Sequence, residues 1–159
     1  MNHIKTLICM GIAATLGATA WIATPTDAEA RSQSGMLGSA RQAADVGCFI
    51  EANGGVHQNA CAGNRSWVIP LVVDNAGNHN IKILAKGSGN GVNKVGCKAW
   101  SFNSVGTVTP GSYDDTELNT NDWEPLDVSV YAQGWGGTHL MCTMGPDTRI
   151  LHVNYNTPL

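Results

Sequence analysis

From residue 46 onward the chain is a succession of short apolar runs rich in Val, Ile and aromatics, separated by clusters of Gly, Asn and Asp. That spacing predicts an all-β fold, an antiparallel β-sandwich of jelly-roll or Ig-like type with about seven to eight strands. Strands are expected near 46–52, 66–74, 79–86, 94–103, 105–109, 126–133, 138–144 and 149–155. Side chains alternate along a strand, so parity assigns faces. Leu126, Val128, Val130 and Ala132 oppose Asp127, Ser129, Tyr131 and Gln133. Ile81, Ile83 and Ala85 oppose Lys82 and Lys86, with Leu84 as an exception. Leu151, Val153 and Tyr155 are expected to oppose Ile150, His152 and Asn154. Each strand then has one dry and one wet face.

Three reversals read as hairpins. They are WVIPLVVD-NAGN-HNIKILAK, LDVSVYAQ-GWGG-THLMCTM and LMCTM-GPDT-RILHVNY. Asn, Gly and Asp tolerate the backbone that tight turns need, and Pro146 suits a second turn position. Pro70 donates no ladder bond, so its strand is expected at an edge or with a bulge.

Residues 31–45, RSQSGMLGSARQAAD, lack alternation and read as a flexible N-terminal arm before a single domain at 46–159. The first thirty residues read as a signal peptide, with one lysine, a mostly apolar run and a small-x-small end at Ala28 and Ala30. The expected location is therefore secreted or periplasmic, with no membrane insertion once the signal is cleaved. The whole chain has nine basic and twelve acidic residues, and no basic cluster, so nucleic acid is not an expected partner.

Beyond residue 30 the cysteines are Cys48, Cys61, Cys97 and Cys142. An even count in an exported chain predicts two disulfides, with three connectivities open. Cys97 shares parity with Val95 and Ala99, and Cys142 with Leu140 and Met144, which favours Cys97–Cys142 in the core and Cys48–Cys61 around a local loop. Zinc is the rival reading, and it lacks a CxxC pair.

No nucleophile elbow, P-loop or paired-histidine motif is present, which points away from an enzyme. Two features carry other chemistry. The acidic stretch YDDTELNTNDWEP, 113–125, reads as a loop in which Asp114, Asp115, Glu117 and Asp122 offer hard oxygen ligands, with calcium as the candidate cofactor and a solvated loop as the plain alternative. The aromatics are the second feature. Trp67 sits in an apolar run and reads as core, while Trp100 and Phe102 share parity with Lys98, for an outer face or a second packed layer. Trp135 lies in QGWGGTH at a glycine-rich tip, Trp123 in the acidic stretch and Tyr131 on a polar face, with Gln133 and His139 nearby in sequence. A rigid apolar ring beside polar groups suits a sugar, and a loop tryptophan equally suits a lid on the core.

The stretch from Trp67 through Cys97 resembles small exported proteins of Gram-negative proteobacteria, in which a W-x-x-P strand leads through a turn to a V-G-C-K/R-A strand and a late Cys. Trp67, Pro70, Gly96, Cys97, Lys98, Ala99 and Cys142 carry the resemblance. It covers about residues 66–110 and the region of Cys142, and implies a compact disulfide-linked β fold and export, without site residues. The expected function is an exported non-catalytic binding module for a glycan or cell-surface component. The alternative is a structural envelope protein that assembles with itself through an open strand edge and a free arm.

Overall fold

The computed structural model of the protein describes residues 31–58, 61–89, 93–116, 122–133 and 136–157. The expected signal peptide, 1–30, lies outside them. Eleven strands run through the described residues: β1 (Arg31–Ser34), β2 (Ser39–Ala40), β3 (Phe49–Ala52), β4 (Gly55–Gln58), β5 (Arg65–Leu71), β6 (Gly77–Lys86), β7 (Val95–Phe102), β8 (Val108–Asp115), β9 (Trp123–Ala132), β10 (Gly137–Met144) and β11 (Thr148–Thr157). Two 3-10 turns, Gly35–Leu37 and Ala43–Cys48, punctuate the first of them.

The strands form two antiparallel sheets. Sheet A has the order β3-β4-β11-β6-β9, with β1 also on β11, and sheet B has the order β2-β5-β10-β7-β8. Because β6 lines one side of β11, β4 and β1 share the other, opposite Thr148–Ile150 and His152–Tyr155. Strands β4 to β11 thus divide as β4-β11-β6-β9 and β5-β10-β7-β8, the two four-strand layers of a jelly roll, which sets the Ig-like alternative aside. The excess over eight strands lies in the short pieces before β4.

The core is the space between the layers. Leu126, Val128 and Val130 on β9, Ile81, Ile83 and Ala85 on β6, Val95, Cys97 and Ala99 on β7, and Leu140, Cys142 and Met144 on β10 are all buried there, as their alternation predicts. Strand β11 departs from its expected parity. Ile150, Val153 and Tyr155 are buried, and Leu151 is not. The register against β6 shifts between Ile150 and His152, and an extra residue at a bulge moves every side chain before it to the opposite face. Trp67 is core, its indole N–H donating to the Gly35 carbonyl at 2.8 Å and its ring 4.7 Å from that of Phe49.

Both favoured disulfides are present, Cys48–Cys61 and Cys97–Cys142. Cys97 and Cys142 face each other directly on β7 and β10, with Cα atoms 4.1 Å apart, so this bridge ties neighbours within sheet B. The other joins the turn before β3 to the segment after β4 and secures that small hairpin.

The three expected hairpins are corrected. β5 and β6, β9 and β10, and β10 and β11 each belong to opposite sheets, so every one of those reversals is an arch across the core. Turn residues specify a reversal of direction, while the partner strand is chosen by which buried face it must complete. The segment 31–45 is also not a loose arm: β1 pairs with β11, β2 pairs with β5, and the Arg31 guanidinium holds Asp74. Pro70 does lie on an edge. β2 covers only Trp67 and Val68, and the Pro70 carbonyl beyond them accepts from Gln33 Nε2 at 3.0 Å.

Strand β8 lies later than expected, and its last three residues, 113–115, fall in the stretch that read as an acidic loop. It is the edge of sheet B, and its side chains close the edge of sheet A. Asp114 Oδ2 accepts from the Asp127 amide at 2.8 Å, Ser112 Oγ accepts from the Ser129 amide at 2.7 Å, and Gln133 Nε2 donates to Thr109 Oγ1 at 2.5 Å. Two edge amides of β9, those of Asp127 and Ser129, which could otherwise pair with another chain, are thereby occupied.

Candidate functional site

The ladders of sheet B array its outward side chains in rows. One row runs Val68, Met141, Lys98, Tyr113, the next Pro70, His139, Trp100, Pro110, and the third joins Gly137, Phe102 and Val108. Parity along β7 places these residues: Val95, Cys97, Ala99 and Ser101 turn inward, so Lys98, Trp100 and Phe102 turn outward. The result is a hollow of about 400 Å³ lined by Arg41, Val68, Trp100, Phe102, His139 and Met141, with Val108 at its rim. Its size falls in the range of small-molecule sites, from about 300 to 1,000 Å³.

Within the hollow, the rings of Phe102 and His139 meet edge-on with centres 5.5 Å apart. The Lys98 ammonium sits 4.8 Å from the centre of the Trp100 ring, a cation–π contact. Two polar atoms, Trp100 Nε1 and His139 Nδ1, are buried without a hydrogen-bond partner among the described residues. Such atoms are uncommon in folded proteins, because an unmatched buried polar group costs about 1–3 kcal/mol. Two aromatic faces, a thioether and two unmatched ring nitrogens can bind a molecule that is apolar on one side and hydroxylated at its edge.

At one end of the face Tyr113 lies over Gly96, where a Cβ would stand 2.2 Å from the phenol oxygen. Tyr113 donates to Asp115 Oδ2 at 2.8 Å, and Lys94 donates to the same oxygen at 2.5 Å. Burial, reinforced by the bond to Asp115, pushes the Tyr113 phenol up to about 12. Burial alone would raise the Asp115 carboxyl, but the bonds from Lys94 and Tyr113 outweigh it and hold the group below its ordinary value.

The residues expected to bind from the sequence alone do not converge. Trp123 and Tyr131 occupy opposite ends of β9, eight residues or about 27 Å apart at the rise of a strand. Both are outward on sheet A, 39% and 50% exposed. Gln133 is held by Thr109 in the seam between the sheets. Trp135 lies outside the described residues, although the adjoining Gly136 packs on the backbone of Phe102. Of the described members of the set, His139 lines the hollow on sheet B.

The calcium candidates are also redistributed. Asp114 and Asp115 belong to β8 and not to a loop, Asp122 is exposed just before β9, and Glu117 lies outside the described residues. Asp114 accepts backbone amides on both oxygens, from Asp115 at 2.9 Å and Asp127 at 2.8 Å. Among the described residues no group of three His, Cys, Asp or Glu side chains is placed to hold a metal ion. Asp114 and Asp115 are joining elements of the sandwich.

Trp100 and Phe102 are the residues that sequence reasoning left unassigned. Their signal was present in the strict alternation of VGCKAWSF, which gives β7 an apolar face on both sides. One such face is the core, and the other has to meet something else.

No protein-family model matches the sequence, and no curated protein matches it. Solved structures match its fold. The C-terminal CBM6 of LamC, a marine laminarinase from Zobellia galactanivorans, is 9% identical and covers 81% of this chain and 100% of its own, with a TM-score of 0.50. A carbohydrate-binding module, CBM6cm-2, from Cellvibrio mixtus lichenase 5A in complex with cellotriose is 10% identical and covers 81% of this chain and 98% of its own, with a TM-score of 0.49. At such identities the likeness is one of fold.

Proposed function

We propose that the protein is an exported, non-catalytic carbohydrate-binding module whose ligand lies on the outer face of sheet B, over Trp100, Phe102 and His139. The observation that carries this reading is the apolar hollow with two buried, unmatched ring nitrogens. A pyranose has apolar C–H faces for the rings and hydroxyls that both donate and accept, so it satisfies Trp100 Nε1 and His139 Nδ1 together. The fold shared with the C-terminal CBM6 of LamC fits this assignment. Two disulfides support export, and no helix among the described residues is long and apolar enough to cross a membrane.

The self-assembly alternative loses part of its motive, because 31–34 is paired with β11 and side chains of β8 hold two edge amides of β9, while β3 and the end of β5 still lie at sheet edges. The test is binding of the oxidised protein to arrayed neutral and acidic oligosaccharides, followed by calorimetry with Trp100→Ala. Loss of one stacking and hydrogen-bonding contact is expected to weaken binding about tenfold, or about 1.4 kcal/mol, with the fold intact. Unchanged affinity of that variant for every captured glycan would sink the site. Lost affinity in Trp135→Ala alone would move it to the arch between β9 and β10.

A further inference from the structure

The opposite face of the sandwich carries a second constellation. Register across sheet A aligns Ile50, His57, Arg149, Lys86 and Trp123 in one row over five strands. Neighbouring strands lie about 4.8 Å apart, so three nitrogen-bearing side chains stand at successive steps with an indole at the end. A hollow of about 200 Å³ opens among Asn53, Gly55, His57, Trp123, Arg149 and Leu151. Its floor is the β11 bulge, where the ladder to β6 slips between Ile150 and His152. Bulges of this kind re-aim side chains beside binding sites.

Arg31, Arg65, Lys82 and Lys94 each hold a carboxylate, of Asp74, Asp45, Asp127 and Asp115 respectively. Arg149 and Lys86, like Arg41 and Lys98 on the sheet B side, have no ion-pair partner among the described residues, and here the two stand next to each other in one row. His57 Nε2 is buried without a hydrogen-bond partner among those residues, and the nearest carboxylate, Asp147, is 3.9 Å away and largely exposed. Burial, with the Arg149 guanidinium beside it, lowers the His57 pKa against the opposing pull of Asp147. The imidazole is therefore largely neutral at neutral pH, and an anion set against Arg149 would draw a proton onto it.

We propose that this row is a second binding site, specific for a carboxylate carried on an apolar ring, as in the uronic acid residues of an acidic polysaccharide. The carboxylate lies between Arg149 and His57, where a guanidinium can grip both oxygens. The sugar ring lies on the exposed indole of Trp123, and Lys86 borders it. The site is independent of the groove on sheet B, since the two faces point away from each other across the core.

The test uses the disulfide-bonded protein in a Trp100→Ala background, in which the groove on sheet B is weakened about tenfold. An oligouronate and the neutral oligosaccharide of the same length are titrated calorimetrically, with inorganic sulfate as a competitor. The oligouronate is expected to bind at least about tenfold more tightly than the neutral chain, which keeps only the weakened sheet B groove. Arg149→Gln should weaken binding about tenfold, the worth of one charge-assisted hydrogen bond, and Trp123→Ala by a similar factor. Lys82→Gln, which removes the same charge from the same face two rows away, should leave affinity within about twofold. Binding should take up protons and tighten as pH falls below the ordinary histidine value of 6.5. Equal losses in Arg149→Gln and Lys82→Gln would mean diffuse attraction and overturn the site. So would equal binding of the neutral chain, or full displacement by millimolar sulfate, which carries no ring. None of these outcomes touches the reading of the sheet B groove, which the wild-type and Trp100→Ala comparison decides by itself.

Discussion

On sheet B the side chains that point away from the core include Val68, Met141, Trp100, Phe102 and His139, whereas on sheet A they include His57, Arg149, Lys86, Lys82 and Asp127. A two-layer sandwich needs one apolar face per sheet, and its other face is free to be polar. Sheet A follows that economy over most of its outer face, with aromatic rings only at the two ends of β9, Trp123 and Tyr131. Sheet B departs from it with aromatic rings on the side that stability does not require. The difference teaches where to look for function: an apolar face that the core does not consume is a statement about a partner. A row of cations without internal carboxylates is the electrostatic version of the same statement.

The largest effects should come from cutting the two covalent ties, because each belongs to one side of the comparison. Replacing both Cys97 and Cys142 by Ala frees β7 from β10 under the aromatic face, and is expected to cost about 4 kcal/mol in the chain-entropy model. Replacing Cys48 and Cys61 frees the hairpin that flanks the cationic hollow, at about 3 kcal/mol. Urea denaturation reads both costs. In the surviving folded protein the first change should impair ligand binding on sheet B alone and the second on sheet A alone. Both changes impairing both faces would show that the layers are one mechanical unit.

Gly96→Ala sharpens the sheet B side. Its new methyl group collides with Tyr113 and forces the ring off the face, at about 1–3 kcal/mol. Spectrophotometric titration should then find the phenol moved from about 12 back towards its ordinary 10.0. A phenol still at about 12 would contradict the assigned contact.

The smallest effects are those of pH, and they fall at opposite ends of the scale. His57 has a lowered pKa in the folded protein, so the unfolded chain binds more protons just below pH 6.5 and stability should fall as pH drops through that window. Tyr113 has a raised pKa, so its contribution is whole below 10.0 and is lost as pH rises towards about 12. Denaturation midpoints measured across pH should show both slopes, with His57→Gln flattening the acid one and Tyr113→Phe the alkaline one. A variant that leaves its own slope in place would remove that residue from the account.

Much of the layering was legible in the sequence, because two-residue alternation survives wherever one side of a strand is dry. The inward residues of β6, β7, β9 and β10 and the pairing of all four cysteines follow from it. Three things were not legible, each for a physical reason. The bulge in β11 is a register event, and a single extra residue leaves no mark on composition. Strand β8 carries Ser112 and Asp114 where an inward strand would carry Val or Leu, because their oxygens must meet the amides of β9, and so its strand read as ending at 109 and its last residues as an acidic loop. The arches read as hairpins because turn chemistry is local while the choice of partner strand is not. The one short hairpin, β3–β4, was missed although Asn53 and Gly54 both take positive φ, 53° and 79°, as a two-residue Asn-Gly turn requires. Its strands are four residues each, too short for alternation to stand out. At the candidate site, parity placed Trp100 and Phe102 together, but the row that adds His139 exists only through pairing.

The position of β11 has a consequence for how the molecule comes into being. Every strand of sheet B lies within residues 39–144, so that layer can finish with what precedes β11. Sheet A cannot. Without β11 it consists of two unconnected pairs, β3–β4 and β6–β9, and β1 has no partner. Contacts that span so much of the chain are slow to form. Pulse-labelled hydrogen exchange during refolding should therefore find the β7 and β10 amides protected while those of β1 and β4 still exchange. The aromatic face would be born first and the cationic row last, as the keystone slides in and makes one sheet of three fragments.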